Sequence, residues 1–145
     1  MQLIIQKVKR AQVTVNNTPL SSISEGLLIY VGFHRTDTPA MIHQAVQKIK
    51  SLRLFNDTPL ADHHHIMLIS NVTLYARMKG NKLDYHMMME YADAKRMFEC
   101  MVGEMRKVHG VVETGQFGSK SVVECAVDGP FNFLYEIGGR MKDRK

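Results

Sequence analysis

Two short segments hold the side chains best suited to chemistry. In Ser70-Asn71-Val72-Thr73-Leu74-Tyr75-Ala76, hydroxyl and amide groups interrupt a hydrophobic run. A Ser or Thr hydroxyl becomes a nucleophile only when a base accepts its proton, and no histidine is tied to this stretch. Asp128-Gly129-Pro130-Phe131 reads as a tight turn between two strands. On residue types alone, the first segment also reads as a strand with polar side chains in solvent, and the second as an ordinary hairpin turn. His63-His64-His65 invites a metal, but three adjacent histidines cannot face one point on a regular element, and no carboxylate-rich partner segment accompanies them. They read as an exposed polar loop, with neither metal nor other cofactor expected. Cys125 alternates with apolar residues and is expected to be a small buried hydrophobe. Cys100 lies beside a helical stripe, and neither cysteine has an activating neighbourhood. No G-x-S-x-G, G-x-x-x-x-G-K or G-x-G-x-x-G occurs.

The elements that must position these residues follow from periodicity. Gln2–Val8 and Ala11–Val15 have strand composition, and Asn16-Asn17-Thr18-Pro19 reads as a turn. Residues 26–33 (GLLIYVGF) form a short apolar run, as in a strand buried on both faces. Ile42, Ala45, Val46, Ile49 and Leu52 share one helical face, with Thr38 placed as N-cap and Pro39 at the first helical position. Ile66–Tyr75 returns to strand, followed by a polar, basic loop to about His86. A second helix is expected over residues 88–108, with Ala94, Met97, Phe98, Met101, Met105 and Val108 buried and Gly110 as its cap. Ser121–Val127 and Phe131–Glu136 close the chain as strands. The order predicts a single α+β domain over residues 1–137, a curled or barrel-like sheet with two main helices packed outside.

Composition narrows the class. The chain has 145 residues, 45% hydrophobic and 23% charged, which suits one globular domain and excludes disordered and coiled-coil classes. No apolar run approaches the ~20 residues of a membrane span, and the first ten residues lack signal-peptide order. Two cysteines make neither a disulfide framework nor a four-ligand zinc site. A cytoplasmic setting without membrane contact is therefore expected. Nineteen basic against fourteen acidic residues give a net charge of +5. Much of that excess sits in the final segment, residues 138–145 (GGRMKDRK), read as a flexible basic tail. The modest basicity of the rest permits a polyanionic partner without requiring one.

Taken in order, these segments resemble the D-aminoacyl-tRNA deacylase family. That family carries Ser-Gln-Phe-Thr-Leu and Asn-Asp-Gly-Pro-Val-Thr motifs, matched here by Ser70–Leu74 and by Val127–Asn132. The similarity continues through Gln6-Lys7-Val8, Arg10–Val13, Gly26-Leu27-Leu28 to Gly32, Asp37-Thr38, Lys48-Ile49 with Leu52–Phe55, and Glu113–Gly118, over roughly residues 1–136. Asn71 and Val72 replace Gln and Phe of the first motif. Val127, Phe131 and Asn132 replace Asn, Val and Thr of the second, and Lys7 stands where Arg is usual. The segment between Phe55 and Ser70 is shorter than in the family, and Lys82-Leu83-Asp84-Tyr85 replaces its Arg-Pro-Ser-Phe.

The resemblance implies hydrolysis of the ester joining a D-amino acid to the 3′-terminal adenosine of tRNA, a chiral proofreading step in translation that extends to glycyl-tRNA. It implies a homodimer in which a cis Gly129-Pro130 pair, with Phe131, enters the partner's active site and excludes L-amino acids. Ser70, Asn71, Val72 and Thr73 would form the reaction centre. Thr73 would attack with Ser70 assisting, or the terminal ribose hydroxyl would activate water while backbone N–H groups near 71–73 hold the oxyanion. The second route is expected, because an aminoacyl ester is already activated. Arg77, Lys79 and Lys82 would meet acceptor-stem phosphates. The motif changes also motivate two alternatives: a deacylase relaxed towards other mischarged tRNAs, and a non-catalytic nucleotide- or nucleic-acid-binding descendant.

Overall fold

The computed structural model describes residues 1–138, so the expected basic tail beyond Gly138 lies outside the described residues. The two N-terminal segments form one strand, β1 (Gln2–Val15). Its pairing register slips between Gln6 and Val8 and again between Val8 and Arg10. Slips of this kind turn successive side chains to the other face of a sheet. Leu3 and Ile5 pack in the cluster beneath the helices. Val8 faces the other way by plain alternation, and the slip between Val8 and Arg10 puts Ala11 and Val13 on its face, where the three join a second cluster.

Asn16 and Asn17, at φ 50° and 62°, make the two-residue hairpin turn into β2 (Thr18–Ile23). This strand was not expected from its polar composition; Pro19 lies in it opposite Thr14, not in the turn. Strand β3 (Gly26–Gly32) is central and almost wholly buried, antiparallel to β1 and parallel to β4 (His65–Ser70). The short strand β7 (Val112–Thr114), also unforeseen, runs parallel to β4. Between these parallel strands pass α1 (Ala40–Ser51) and α2 (Tyr91–Val108), which bury the same face of the sheet. The sheet curls until the Ser21 hydroxyl donates to the Thr114 carbonyl at 2.7 Å, which brings β2 to β7 and nearly closes a barrel.

The helix ends differ from expectation. Pro39, not Thr38, is the residue before α1, and no side chain among the described residues caps that helix. Leu52 falls in extended backbone beyond the last turn. Helix α2 begins at Tyr91 because the Glu90 carboxylate accepts from the Asp93 N–H, while Met89 is drawn to the sheet by its bond to the Phe33 carbonyl at 3.0 Å. Val108 is exposed, and extended His109 ends the helix with no left-handed turn at Gly110.

The C-terminal segments form one strand, β8 (Ser121–Glu136), antiparallel along the whole of β1. Gln6 pairs with Asn132 and Val8 with Val127, so residues 128–131 stand together opposite Lys7. Gly129-Pro130 is therefore a bulge in a continuing strand and not a hairpin turn, because the chain does not reverse there. Among the described residues strand β8 pairs with β1 alone and leaves Val122, Phe133, Leu134 and Cys125 exposed, which corrects the expectation of a buried Cys125.

The three histidines do not form an exposed loop either. His64 is buried, stacked on Phe55 at 3.8 Å. Its Nδ1 accepts from the Ala61 N–H at 2.9 Å, so Nε2 carries the proton and faces Glu25 Oε1 at 3.4 Å. Burial, then the neighbouring His63, hold its pKa below the ordinary value. Buried His109 lies within 2.6 Å of the His64 carbonyl through Nε2 and within 2.8 Å of Lys50 Nζ through Nδ1.

Candidate active site

The stretch expected to be strand through Tyr75 breaks at Ser70. The Asn71 N–H makes a last bond to the Val31 carbonyl at 2.8 Å. The Asn71 side chain then accepts from the Thr73 N–H at 3.1 Å, capping a 3₁₀ turn over Val72–Tyr75. Asn is a preferred residue for this role, since its short amide competes well for nearby backbone donors. The turn settles on β3 through Gly32. A Cβ there would lie 2.7 Å from Leu74 Cβ and 3.1 Å from the Asn71 carbonyl oxygen, so only glycine admits so close a seat. Tyr75 anchors the far end, buried and edge-to-face with His34 at 5.2 Å between ring centres. Burial, followed by the nearby Asp37, raises its pKa, so its phenol stays neutral.

The hydrogen bonds limit what this turn can do. Thr73 is exposed and donates its hydroxyl proton to Asn71 Oδ1 at 2.5 Å. An amide oxygen is too weak a base to activate that hydroxyl. Of the backbone donors expected over residues 71–73, the Asn71 N–H is committed to Val31 and the Thr73 N–H to the Asn71 side chain. The first N–H of a helical turn has no partner within it, and the Val72 N–H has none among the described residues. The expected donor set thus contracts to Val72, whose side chain is also exposed. Ser70 is half-buried at the strand end. The role of Gly32 under the turn, Val31 and the Tyr75–His34 contact were not legible from sequence. The hydroxyl-and-amide break in a hydrophobic run was the available signal for the turn they support.

Arg77, Lys79 and Lys82 fall on a hairpin in place of the expected loop, made by β5 (Arg77–Lys79) and β6 (Lys82–Asp84). Arg77 pairs with Asp84 and Lys79 with Lys82, so all three cations share one face, while Met78 and Leu83 share the other. Asp84 is bonded to His86, which holds its carboxyl below the usual range. Two lysines directly across a ladder repel each other, an arrangement that favours an anionic partner.

The Gly129-Pro130 bond is cis, and Gly129 has φ +136°, a backbone region that L side chains rarely adopt. Both residues are exposed, Phe131 is half-buried, and Asp128 lies 3.5 Å from Lys9 Nζ and 3.9 Å from Lys7 Nζ. This pair does not meet Ser70–Thr73 within one chain. Strands β8, β1, β3 and β4 are successive neighbours, which separates the two places by about 14 Å across the sheet. Lys7 pairs with Leu27 while Ser70 pairs with Val31, an offset of four residues or about 13 Å along the strands. Among the described residues, no group of three or more His, Cys, Asp or Glu is placed to hold a metal ion, and no helix is long and apolar enough to cross a membrane.

A family model described as D-Tyr-tRNA(Tyr) deacylase matches residues 4–136. The chain belongs to that deacylase family. It is 34% identical to the D-aminoacyl-tRNA deacylase of Psychrobacter sp. (strain PRwf-1), over 94% of this chain and 99% of that protein. It is also 34% identical to D-aminoacyl-tRNA deacylase 1 of Danio rerio, over 94% of this chain and 70% of that one. Among solved structures, the c-Myc DNA Unwinding Element Binding Protein is similar with a TM-score of 0.87 and 28% identity, covering 96% of this chain and all of that one. A probable eukaryotic D-amino acid tRNA deacylase shares the fold at a TM-score of 0.83 and 15% identity, over 94% and 98% of the two chains. In this deacylase family member, the capped turn on Gly32 and the Gly129-Pro130 bulge occupy the two segments whose residues first suggested chemistry.

Proposed function

We propose that the protein hydrolyses the ester between a D-amino acid and the 3′-terminal adenosine of tRNA, releasing both. The observation that carries this reading is the turn at 71–75, which offers a backbone donor and no base. That equipment suits an ester already activated towards water and would not serve a less reactive bond. Water attacks the carbonyl carbon, and the Val72 N–H steadies the oxyanion. The terminal ribose hydroxyl takes the water proton and relays it to the departing ester oxygen, which leaves as a ribose hydroxyl. Asn71 holds Thr73 and the turn in place, so Ser70 and Thr73 act as positioning residues.

The chirality filter belongs to a homodimer in this proposal. The separation of Gly129-Pro130 from the turn within one chain supports delivery from a second copy, as do the open apolar side chains of β8. A two-fold arrangement would insert each pair reciprocally. Without a Cβ at Gly129, the partner's main chain would approach the substrate Cα and crowd any L side chain. Arg77, Lys79 and Lys82 would contact acceptor-stem phosphates. The free, exposed thiols of Cys100 and Cys125 suit the reducing cytoplasm. The test is deacylation of matched D-, L- and glycyl-tRNA by the full chain. Rapid loss of the D-ester with the L-ester spared supports the proposal. Equal loss of D- and L-esters would mean a relaxed deacylase, and no loss a binding protein.

A further inference from the structure

A cleft of about 540 Å³ lies between the start of α1 and the N-terminal half of α2, beside the loop that follows β3. Its volume is in the ~300–1,000 Å³ range of small-molecule sites. It adjoins the proposed reaction centre: Tyr75 closes the 71–75 turn, its ring meets His34, and the next residue, Arg35, lines the cleft. Ile42, Met89 and Met97 supply apolar walls.

The charged groups around it are mostly committed. Asp37 holds the Met1 ammonium at 2.7 Å and the His34 N–H at 2.7 Å. Arg96 pairs with Asp93. Glu90 caps α2 through Oε2, leaving Oε1 without a partner among the described residues. The Arg35 guanidinium is exposed and likewise makes no bond or ion pair among them, though its backbone N–H bonds the Met87 carbonyl at 2.9 Å. An apolar floor therefore carries one available cation and one available carboxylate oxygen. A planar ring bearing an amino donor, attached to a phosphate, satisfies all three.

We propose that this cleft receives a cytidine of the unpaired tRNA 3′ strand, from the nucleotides just before the terminal adenosine. The inference rests on the reading that the 71–75 turn holds that adenosine. The cytosine ring lies on Met89 and Met97, its N4 amino group donates to Glu90, and Arg35 meets a phosphate. Cytosine's amino donor is what a carboxylate can read, and uracil lacks it.

Two substrates separate this site from the reaction centre: D-aminoacyl-tRNA and the D-aminoacyl ester of adenosine alone. Arg35→Ala is expected to raise KM for the tRNA about tenfold, the scale of one charge-assisted contact, and to leave KM for the adenosine ester unchanged. Its tRNA affinity should also lose about 0.7 from the log–log salt slope. Replacing one of the two terminal cytidines by uridine should raise KM similarly at a single position. In Cys125→Ser protein, a CCA trinucleotide should slow alkylation of Cys100, which lines the cleft. Arg35→Ala acting equally on both substrates, or on neither, would overturn the assignment, as would an unprotected Cys100. Were neither ester hydrolysed by the unmodified protein, the functional reading would fall while Cys100 protection still decided the cleft.

Discussion

Gly32→Ala isolates the seat of the 71–75 turn. Gly32 is not in the left-handed region, so alanine suits its backbone and the effect is purely one of space. The new methyl would stand 2.7 Å from Leu74 Cβ and 3.1 Å from the Asn71 carbonyl oxygen, whereas carbon atoms rest about 3.5–4.0 Å apart. The turn must lift by about 1 Å, because its own main chain and a Cβ are the obstacles. Overpacking of this kind costs about 1–3 kcal/mol. A displacement of ~1 Å at a reacting centre costs about 100-fold in rate. Urea unfolding should show the stability loss, and single-turnover hydrolysis of D-aminoacyl-tRNA, run where the variant is fully folded, should show the rate loss. Gly103→Ala is the control, since a methyl there meets nothing within 4 Å. A folded Gly32→Ala protein with the unmodified rate would refute the placement of the reaction at this turn.

Replacing Arg77, Lys79 and Lys82 together should weaken tRNA binding and flatten its salt dependence, by about 0.7–0.9 in log–log slope per lost contact; unchanged affinity and slope would return the hairpin to plain surface. Gly129→Ala places a side chain at φ +136°, 3.1 Å from the Phe131 backbone nitrogen. Hydrolysis of the D-ester should drop in a variant that still binds tRNA, and analytical ultracentrifugation finding an active monomer would remove the cross-subunit role. His64 sets a pH limit, because its folded pKa is depressed below the ordinary 6.5. Between those two values the unfolded chain binds the extra proton, so stability is full above about 6.5 and falls as pH drops through that window. Chemical denaturation across pH 5 to 8 should show this decline, and His64→Gln should flatten it.

Much of the architecture was legible from pattern. The Ile42–Ile49 and Ala94–Met105 stripes and the apolar run 26–33 each follow from period and length alone. The C-terminal strand deceived because Asp-Gly-Pro is turn chemistry, and only its pairing with β1 shows the chain continuing straight past Lys7. Cys125 alternates like a core residue, but which side of β8 is covered depends on how many neighbours the strand has. His64 was misjudged because Phe55 and Glu25, which enclose it, are distant in sequence. At the proposed reaction centre the residue types were legible, but their hydrogen bonds were not. The Asn71 side chain takes up both the Thr73 amide and its hydroxyl, and the Asn71 N–H bonds the Val31 carbonyl, which leaves the Val72 N–H of the donors expected near 71–73. Gly32 gave no local sign of its importance, since its constraint comes from Leu74 and Asn71 landing on it.

The most direct test of the mechanism is single-turnover hydrolysis by Thr73→Ala, with D-aminoacyl-tRNA ending in either ribose or 2′-deoxyribose. Water attack assisted by the ribose predicts that Thr73→Ala slows the ribose substrate by no more than about tenfold, roughly 1.4 kcal/mol of barrier. It also predicts that loss of the 2′-hydroxyl slows the unmodified protein far more than this. A folded Thr73→Ala protein that binds tRNA normally yet loses about 10⁴-fold or more in rate, as covalent catalysts do without their nucleophile, would contradict it.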